Sequence, residues 1–340
     1  MEGKPVKKLD PYVPNAKLYD LAFDQFSRQY QAKRLVEITR PKKRLKILDV
    51  GGNNGATRAF FPQDEVMIAD LYDLEEPGYT KASALDLPFG DDSYDVVTCF
   101  DVFEHIEDKD RPQFLAEITR VAKHYVLVAA PFDTEFVGPA ERELNAYYAK
   151  ITGAKHRWLS EHIDNGLPKR AEIEKFFERQ SLPFKIYSSN NILLWTAMQH
   201  LIFLADAVKA PERMSKLNRY YNQNMPTIGD GQEPSYRRIY FAAKSGRLPA
   251  VDEIEQPISQ EVLRQWINTA ATAMHELIYG SEVLLSQTET VKTQAEMLGE
   301  KDREIAKLKN TLDGILSSRS YKIAQVLKTT KNAVLPKRRL

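Results

Sequence analysis

The sequence predicts an α/β protein in which helices cover both faces of a parallel sheet, followed by a long C-terminal helix. Two observations lead to this prediction. From Leu45 onward, short apolar runs bounded by turn residues alternate with helical segments, which is typical of a parallel sheet buried on both sides. After about Pro249, glycine and proline become rare and helix-forming residues dominate.

The composition excludes several classes of protein. A chain of 340 residues suggests about two structural units, and 43% hydrophobic residues are enough to build a packed core. Cys99 is the single cysteine, which excludes an internal disulfide and a multi-cysteine zinc site and is typical of the cytoplasm. The start of the sequence has no apolar run, and polar residues interrupt the apolar stretch 191–208. We therefore expect a soluble cytoplasmic protein without a secretory signal.

The charge is unevenly distributed along the chain. Of the 48 basic residues, seven lie in 316–340, which has no acidic residue, leaving 41 basic against 47 acidic residues in 1–315. An acidic body argues against nucleic-acid binding. The basic segment either contacts an anionic surface, such as the inner face of the plasma membrane, or is simply a solvated end.

Apolar runs and helical patterns predict the elements in chain order. The first four strands are predicted at Lys46–Val50, Val66–Asp70, Tyr94–Phe100 and Tyr125–Ala130. Helices are predicted at 16–39, Ala56–Phe61, Phe103–Ile106 and Pro112–Ala122. A helix at Ala171–Arg179 and strands at Phe184–Ser188 and Arg237–Lys244 continue the pattern. Between the last two strands, an apolar helix near 191–208 and a loop over 222–236 form an insertion or lid.

A heptad pattern follows this domain. An apolar residue recurs every seven positions, at Leu277, Leu284, Val291, Leu298, Ile305 and Leu312. This spacing predicts a coiled coil that forms a homo-oligomer through residues 270–315, and a single long helix packed on the body is the alternative. The chain is thus divided into a domain at 1–248, a stalk at 249–315 and a basic amphipathic tail at 316–340. Within the domain, residues 45–131 form the core, 132–236 the substrate and lid segments, and 237–244 the last strand.

The segment KILDVGGNNG, residues 46–55, predicts a ligand-binding loop. A buried strand ends at Asp49 and leads through glycines into the start of a helix, where backbone N–H groups are free to bind a ligand. The dinucleotide pattern G-x-G-x-x-G fails at Asn53 and Ala56, and a plain tight turn is the alternative. Asp70 ends the next strand, where its carboxylate can accept both hydroxyls of a ribose.

Further motifs follow in a fixed order: LPF at 87–89, YDVV at 94–97 and FEHI at 103–106. Together with the loop after Asp49, they resemble the class I S-adenosylmethionine-dependent methyltransferases, closely over 45–131 and by element order over 132–245. The resemblance implies a Rossmann-like sheet and S-adenosyl-L-methionine as cofactor. It implies that the methionine part is wrapped by Asp49, Gly51, Gly52, Asn53 and Gly55.

The same resemblance assigns the remaining cofactor contacts. Asp70 would hold the ribose, Leu71 would lie against the adenine, and Ser83, Ala84 and Leu85 would line the adenine edge. Phe100 and Asp101 would lie beside the sulfonium. Asn53 replaces a glycine of the family but tolerates a left-handed backbone, so binding should survive. Ser83 replaces an acid of many relatives, so we expect backbone groups to recognise the adenine.

Two segments could supply catalytic or substrate-binding groups. His105 follows Asp101 by four residues, and related O-methyltransferases have a histidine there that resembles a general base; a helix-packing role is the alternative. The stretch containing His156, Glu161 and His162 resembles a substrate-binding segment of methyltransferases from bacterial surface-glycan clusters, and a plain surface helix is the alternative. His162 is the second candidate base. Two histidines six residues apart are not a metal-binding spacing, so we expect no metal.

These resemblances predict O-methylation of a sugar or glycan in bacterial cell-surface polysaccharide biosynthesis. A quinone or lipid O-methyltransferase is one alternative, suggested by the apolar stretch 191–208. A non-catalytic scaffold with a methyltransferase fold is another. The tail resembles tails of polysaccharide-assembly enzymes, so residues 316–340 are predicted to bind either those enzymes or an anionic membrane.

Overall fold

A seven-stranded sheet runs through the middle of the protein. The computed structural model describes residues 16–40, 43–52, 55–72, 76–225, 233–248, 260–285, 301 and 303–309. The strands are β1 (Lys46–Val50), β2 (Glu65–Asp70), β3 (Tyr79–Lys81), β4 (Tyr94–Phe100), β5 (Ala122–Pro131), β6 (Phe184–Asn191) and β7 (Ser235–Ala243). Their order across the sheet is β3-β2-β1-β4-β5-β7-β6.

The sheet is mixed rather than parallel throughout. Strands β3, β2, β1, β4 and β5 pair in parallel, whereas β7 lies between β5 and β6 and is antiparallel to both. The sequence prediction is therefore wrong for β7, because a strand buried on both faces shows the same apolar run whichever way it points. The three-residue strand β3 was also missed, since it is short and only partly buried.

Helices cover both faces of this sheet, as predicted. They are α1 (Phe23–Thr39), α2 (Ala56–Phe60), α3 (Arg111–Val121), α4 (Val137–Thr152), α5 (Arg157–Asn165), α6 (Arg170–Arg179), α7 (Ile192–Ala207), α8 (Ser215–Asn224) and α9 (Gln260–Leu285). A short 3-10 helix, Phe103–His105, follows β4. Helix α4 was not predicted, although its buried residues Val137, Leu144 and Ile151 are spaced by seven.

Side chains of successive residues pack on opposite faces of the sheet. On β7, Tyr240 joins Phe114 of α3 and Phe177 of α6 in one core cluster. Its neighbour Phe241 joins Phe26 of α1 in the cluster on the other face. All seven residues of β4 are buried, including the polar residues Asp95 and Thr98.

Helix α7 is apolar because it lies inside a third core cluster. Trp195, Met198 and Leu201 are buried there together with residues of α4, α8 and α9. The indole of Trp195 stacks on the ring of Tyr236, with centroids 3.5 Å apart. Among the described residues, no helix is both long and apolar enough to cross a membrane.

The first half of α9 packs against the same cluster. Trp266, Ala270, Met274 and Leu277 are all buried there. Leu277 was predicted to lie in an intermolecular seam, and at this position the prediction is wrong, because the side chain completes the core of its own chain. Leu308 also contacts this cluster.

The contacts of α9 do not test the rest of the stalk prediction or the tail prediction. Ile305 lies in the described helical segment 303–309. The side chain of Leu284, together with Val291, Leu298, Leu312 and the tail 316–340, lies outside the described residues.

Candidate active site

The carboxyl ends of β1, β2 and β4 meet at one edge of the sheet, where α/β folds bind their ligands. Asp49, next to the end of β1, is buried and anchors this edge. One carboxylate oxygen accepts a hydrogen bond from Thr98 Oγ1 of β4 at 2.8 Å, and the other accepts one from Thr57 of α2. Burial raises the pKa of Asp49 to about 6, although both threonine donors counteract it. These two hydrogen bonds connect Asp49, just before the loop after β1, to β4 and α2.

The loop after β1 requires glycine at two positions. Gly51 has a φ of +81°, and a Cβ atom there would lie 2.2 Å from Val102 Cγ2. A Cβ atom on Gly52 would lie 2.1 Å from Asp49 Oδ2. Gly51 N–H donates to the carbonyl of Ala69 at 2.8 Å, which holds the loop against β2. At these two positions only backbone is present, and Val102 and Asp49 fill the space that a side chain would need.

Asp70 and Leu71 follow at the end of β2, beside this loop. Leu71 is 69% exposed, whereas Ala69 two residues before it is buried. Ser83 Oγ accepts a hydrogen bond from Leu85 N–H at 3.2 Å, so its hydroxyl supports the turn in which it lies. An exposed apolar side chain beside a carboxylate is a suitable surface for an aromatic base attached to a ribose.

These features fit S-adenosylmethionine. The glycine backbone can hold the methionine part, Asp70 can accept hydrogen bonds from both ribose hydroxyls, and Leu71 can cover the adenine. The structure brings the predicted cofactor residues of β1, β2 and β4 to one edge of the sheet. Asn53 lies outside the described residues.

Asp101, directly after β4, is the centre of an ion-pair network. Its carboxylate accepts hydrogen bonds from Arg28 of α1 and Arg237 of β7. Burial would raise its pKa, but the two guanidinium charges outweigh burial and lower the pKa to about 2. Asp101 also has a φ of +53°. The network holds α1 against this edge of the sheet. Phe100, the residue before Asp101, is buried in the core with Phe26 of α1.

A second polar centre lies next to this edge. His105, in the 3-10 helix after β4, and His162 of α5 face each other with their Nε2 atoms 3.3 Å apart. His162 Nδ1 lies 2.9 Å from Glu141 Oε1, and Tyr236 donates to the same oxygen at 2.8 Å. His105 Nδ1 lies 3.5 Å from Glu161 Oε2. We call His105, His162 and the three acids Glu104, Glu141 and Glu161 the histidine centre.

The surroundings shift the pKa values of the histidine centre in different directions. Burial lowers the pKa of His105, and the nearby charge of His162 acts in the same direction. Burial also acts to lower the pKa of His162, but the hydrogen bond to Glu141 outweighs it and raises the pKa. Burial, together with the charge of Asp101, raises the pKa of Glu104 to about 8. The centre therefore favours neutral His105 and a protonated Glu104 at neutral pH.

His156 has a capping role in the structure. Its side chain accepts a hydrogen bond from Leu159 N–H at 3.5 Å and so caps the start of α5. Its ring packs against Tyr148 and Phe203, with centroid distances of 5.0 and 4.8 Å. Glu161 lies beside His105, while the indole of Trp158, 41% exposed, contacts the His105 ring edge to face.

Several residues of the Asp101 network and of the histidine centre were not predicted from the sequence. Arg28 and Arg237 lie 73 and 136 residues from Asp101, and no local pattern connects them. Glu141 could have been found, because it lies on the apolar side of α4 beside Ala140 and Leu144. A charged residue in such a face signals a buried partner.

Comparison with known proteins agrees with this geometry. Residues 49–129 match the family described as a methyltransferase domain. Among curated proteins, no sequence matches the chain.

Solved structures similar to the chain include three methyltransferases. A protein provisionally named a methyltransferase from Bacillus halodurans is 18% identical, with 65% of this chain and 99% of that chain covered and a TM-score of 0.36. An S-adenosylmethionine-dependent methyltransferase from Thermotoga maritima is 13% identical, with 67% and 92% covered and a TM-score of 0.38. A provisionally named sarcosine dimethylglycine methyltransferase from Galdieria sulphuraria is 16% identical, with 65% and 84% covered and a TM-score of 0.40.

The class follows from the family match and the fold. The sheet order with one antiparallel strand, the glycine loop after β1 and the matched segment 49–129 define a Rossmann-like class I methyltransferase domain. The protein is an S-adenosylmethionine-dependent methyltransferase. The predicted fold class and cofactor are confirmed.

Proposed function

We propose that the enzyme transfers the methyl group of S-adenosylmethionine to a hydroxyl group of a sugar in a bacterial cell-surface glycan. The observation that supports this proposal is the histidine centre. Its residue His105 follows β4 by five residues, close to Asp101 at the carboxyl ends of β1, β2 and β4, which we call the cofactor edge. A hydroxyl acceptor needs a group that takes its proton, and a histidine pair beside the methyl donor can supply it.

The facing nitrogens of His105 and His162 can act as proton acceptors. His162 Nδ1 lies within hydrogen-bond distance of Glu141, so Nδ1 is the natural position for the proton of the neutral His162 ring. When both rings are neutral and carry their proton on Nδ1, the lone pairs of the two Nε2 atoms face each other across 3.3 Å, which favours uptake of a cation between them. The proton released from the acceptor hydroxyl is such a cation.

Methyl transfer is a single displacement, so alignment of the acceptor oxygen, the methyl carbon and the sulfur supplies much of the acceleration. The oxygen forms its bond to the methyl carbon as the carbon–sulfur bond breaks, and that electron pair stays on sulfur. The products are a methyl ether, S-adenosylhomocysteine and a proton. Asp49 and the glycine loop position the donor, and the histidine centre positions the acceptor.

A sugar agrees with the surroundings better than a quinone or lipid. The histidine centre combines carboxylates and imidazoles with the exposed indole of Trp158, which can pack against the apolar face of a sugar ring. The quinone alternative depended on the apolar stretch 191–208. That stretch is α7, which is buried in the helical core between α4 and α9.

The test is to delete the protein from its organism and to analyse the surface glycan by mass spectrometry. The proposal predicts that one methyl ether is lost from the glycan and that it returns with the wild-type protein but not with the His105→Ala variant. An unchanged glycan together with a methyl group lost from a quinone or lipid would contradict the sugar as acceptor.

A further inference from the structure

The histidine centre has the geometry of a metal-binding site. Ligand atoms of Glu104, His105 and His162 all lie within 4.8 Å of one another. Glu104 is only 1% exposed, and its Oε2 atom has no hydrogen-bond partner among the described residues. A buried carboxylate oxygen without a partner costs free energy unless another group neutralises it.

The two imidazoles are oriented as metal ligands. In metal sites, the ring nitrogen that does not bind the metal usually donates to a carboxylate, which fixes the ring and its tautomer. His162 follows this rule, because its Nδ1 lies 2.9 Å from Glu141 Oε1. His105 Nδ1 lies 3.5 Å from Glu161 Oε2 and has no hydrogen-bond partner among the described residues. Their Nε2 atoms are left free to point at one another.

The distance between the nitrogens agrees with this interpretation. Zinc–nitrogen bonds of about 2.0–2.1 Å in a tetrahedral site place two ligating nitrogens about 3.3–3.4 Å apart. The Nε2 atoms of His105 and His162 are 3.3 Å apart. Without a cation or a shared proton, two lone pairs at this distance repel each other.

We propose that Glu104, His105 and His162 bind one divalent transition-metal ion such as Zn²⁺, with Glu141 orienting the His162 imidazole. Two histidines and one glutamate with a fourth position open are the ligand set of catalytic rather than structural zinc sites. No metal was expected from the sequence, because His156 and His162 do not have a metal-binding spacing. The structure instead pairs His162 with His105, 57 residues away.

The role of the ion in methyl transfer rests on the proposed function, whereas metal binding itself does not. The acceptor hydroxyl would occupy the open position, where a metal ion lowers the pKa of a bound hydroxyl. In this metal-bound form the two imidazoles hold the ion and no longer take up the acceptor proton themselves. The hydroxyl proton passes to solvent water, the oxygen lone pair forms the bond to the methyl carbon, and the carbon–sulfur electron pair leaves with S-adenosylhomocysteine.

Metal binding can be tested on the untagged full-length protein after treatment with a chelator. Titration with Zn²⁺, followed by calorimetry, should show one site per chain, and Co²⁺ should give the visible absorption of a tetrahedral site. His162→Ala and the nearly isosteric Glu104→Gln should each abolish the Co²⁺ spectrum and weaken Zn²⁺ binding at least tenfold. His124→Ala, which removes a histidine that bonds Ser245 instead, is the matched control and should bind as the wild type does.

The carboxylate of Glu141, which faces His162 Nδ1, provides a graded test. Glu141→Gln should weaken Zn²⁺ binding by roughly 10- to 100-fold, the usual cost of losing a partner of a ligating histidine. Circular dichroism and thermal melts should show that each variant is folded. If the wild type binds no stoichiometric Zn²⁺, or if the His162→Ala and Glu104→Gln variants bind it as well as the wild type does, the proposal is wrong.

Activity distinguishes this inference from the proposed function. Full methyl transfer by the chelator-treated enzyme, without Zn²⁺ binding, would reject the metal site and leave the proposed function standing. Stoichiometric Zn²⁺ binding at these ligands, without methyl transfer to any glycan acceptor, would confirm the site and reject the function.

Discussion

The cofactor edge and the histidine centre are neighbours, but they are built in different ways. The cofactor edge consists of short contiguous segments, each at the end of one strand, such as the loop 49–55 and the pair Asp70–Leu71. The histidine centre takes its residues from separate elements: the 3-10 helix after β4, α4 and α5. The first is visible in the sequence, and the second exists only after folding.

This difference implies a division of labour. The cofactor edge contributes backbone and carboxylate groups that suit a donor common to many enzymes. The histidine centre contributes imidazoles and buried acids that suit a particular acceptor. Changes at the histidine centre should therefore affect catalysis, and changes at the cofactor edge should affect cofactor affinity.

The largest expected effect is at the histidine centre. His105→Ala and His162→Ala should each lower kcat by roughly 10²- to 10⁴-fold, the range for losing a group that handles the acceptor proton. Affinity for S-adenosylmethionine, measured by calorimetry, should remain that of the wild type, because the glycine loop and Asp70 are untouched. A large loss of cofactor affinity in either variant would break the distinction between the two centres.

The network around Asp101 connects the two centres, and its loss should mainly lower stability. Arg237 is 2% exposed and pairs with Asp101, so Arg237→Met leaves a carboxylate with only Arg28 as partner. Removing one partner of a buried ion pair typically costs about 3–5 kcal/mol in the free energy of unfolding. Urea denaturation measures this cost. Arg238→Met, at a neighbouring and more exposed ion pair with Glu233, is the control and should cost much less.

The same network should make stability depend on pH in acid. The pKa of Asp101 is lowered to about 2 in the folded protein, so the ion pairs contribute their full stability above the pKa of the unfolded chain, about 4. That contribution should be lost as the pH falls from about 4 to 2. The stability difference between wild type and Asp101→Asn should therefore shrink over this range. A difference that stays constant would show that Asp101 is not ionised in the folded protein.

A smaller effect is expected at the cofactor edge. Asp70→Asn removes a charged acceptor for the ribose hydroxyls, and hydrogen bonds to charged groups contribute about 1.5–3 kcal/mol. The dissociation constant for S-adenosylmethionine should therefore rise by roughly 10- to 100-fold, while kcat at saturating cofactor changes little. A lower kcat with unchanged affinity would place Asp70 in the chemistry instead.

The sequence predicted the sheet well where its signals are local. Strands β1 and β4 have the predicted bounds, because turn residues flank runs that are apolar and buried. The direction of β7 was wrong, because burial on both faces carries no information about direction. Leu277 was wrongly assigned to a seam between chains, because the same heptad pattern is expected for a helix that packs on its own domain.

The candidate site, like the sheet, was predicted only where its signals are local. Gly51 and Gly52 were identified from the pattern of residues 46–55, and the structure gives the steric reasons for them. The histidines were identified one by one, but their pairing depends on α5 packing beside the 3-10 helix after β4. Arg237 and Glu141 act through contacts across 136 and 21 residues, which no local pattern encodes.

Cofactor binding is best measured by calorimetric titration of the purified protein with S-adenosylmethionine and, separately, with a nicotinamide dinucleotide. We expect one S-adenosylmethionine site per chain, weakened by Asp70→Asn and unchanged by His105→Ala, and no binding of the dinucleotide. Binding of the dinucleotide without binding of S-adenosylmethionine would contradict this expectation.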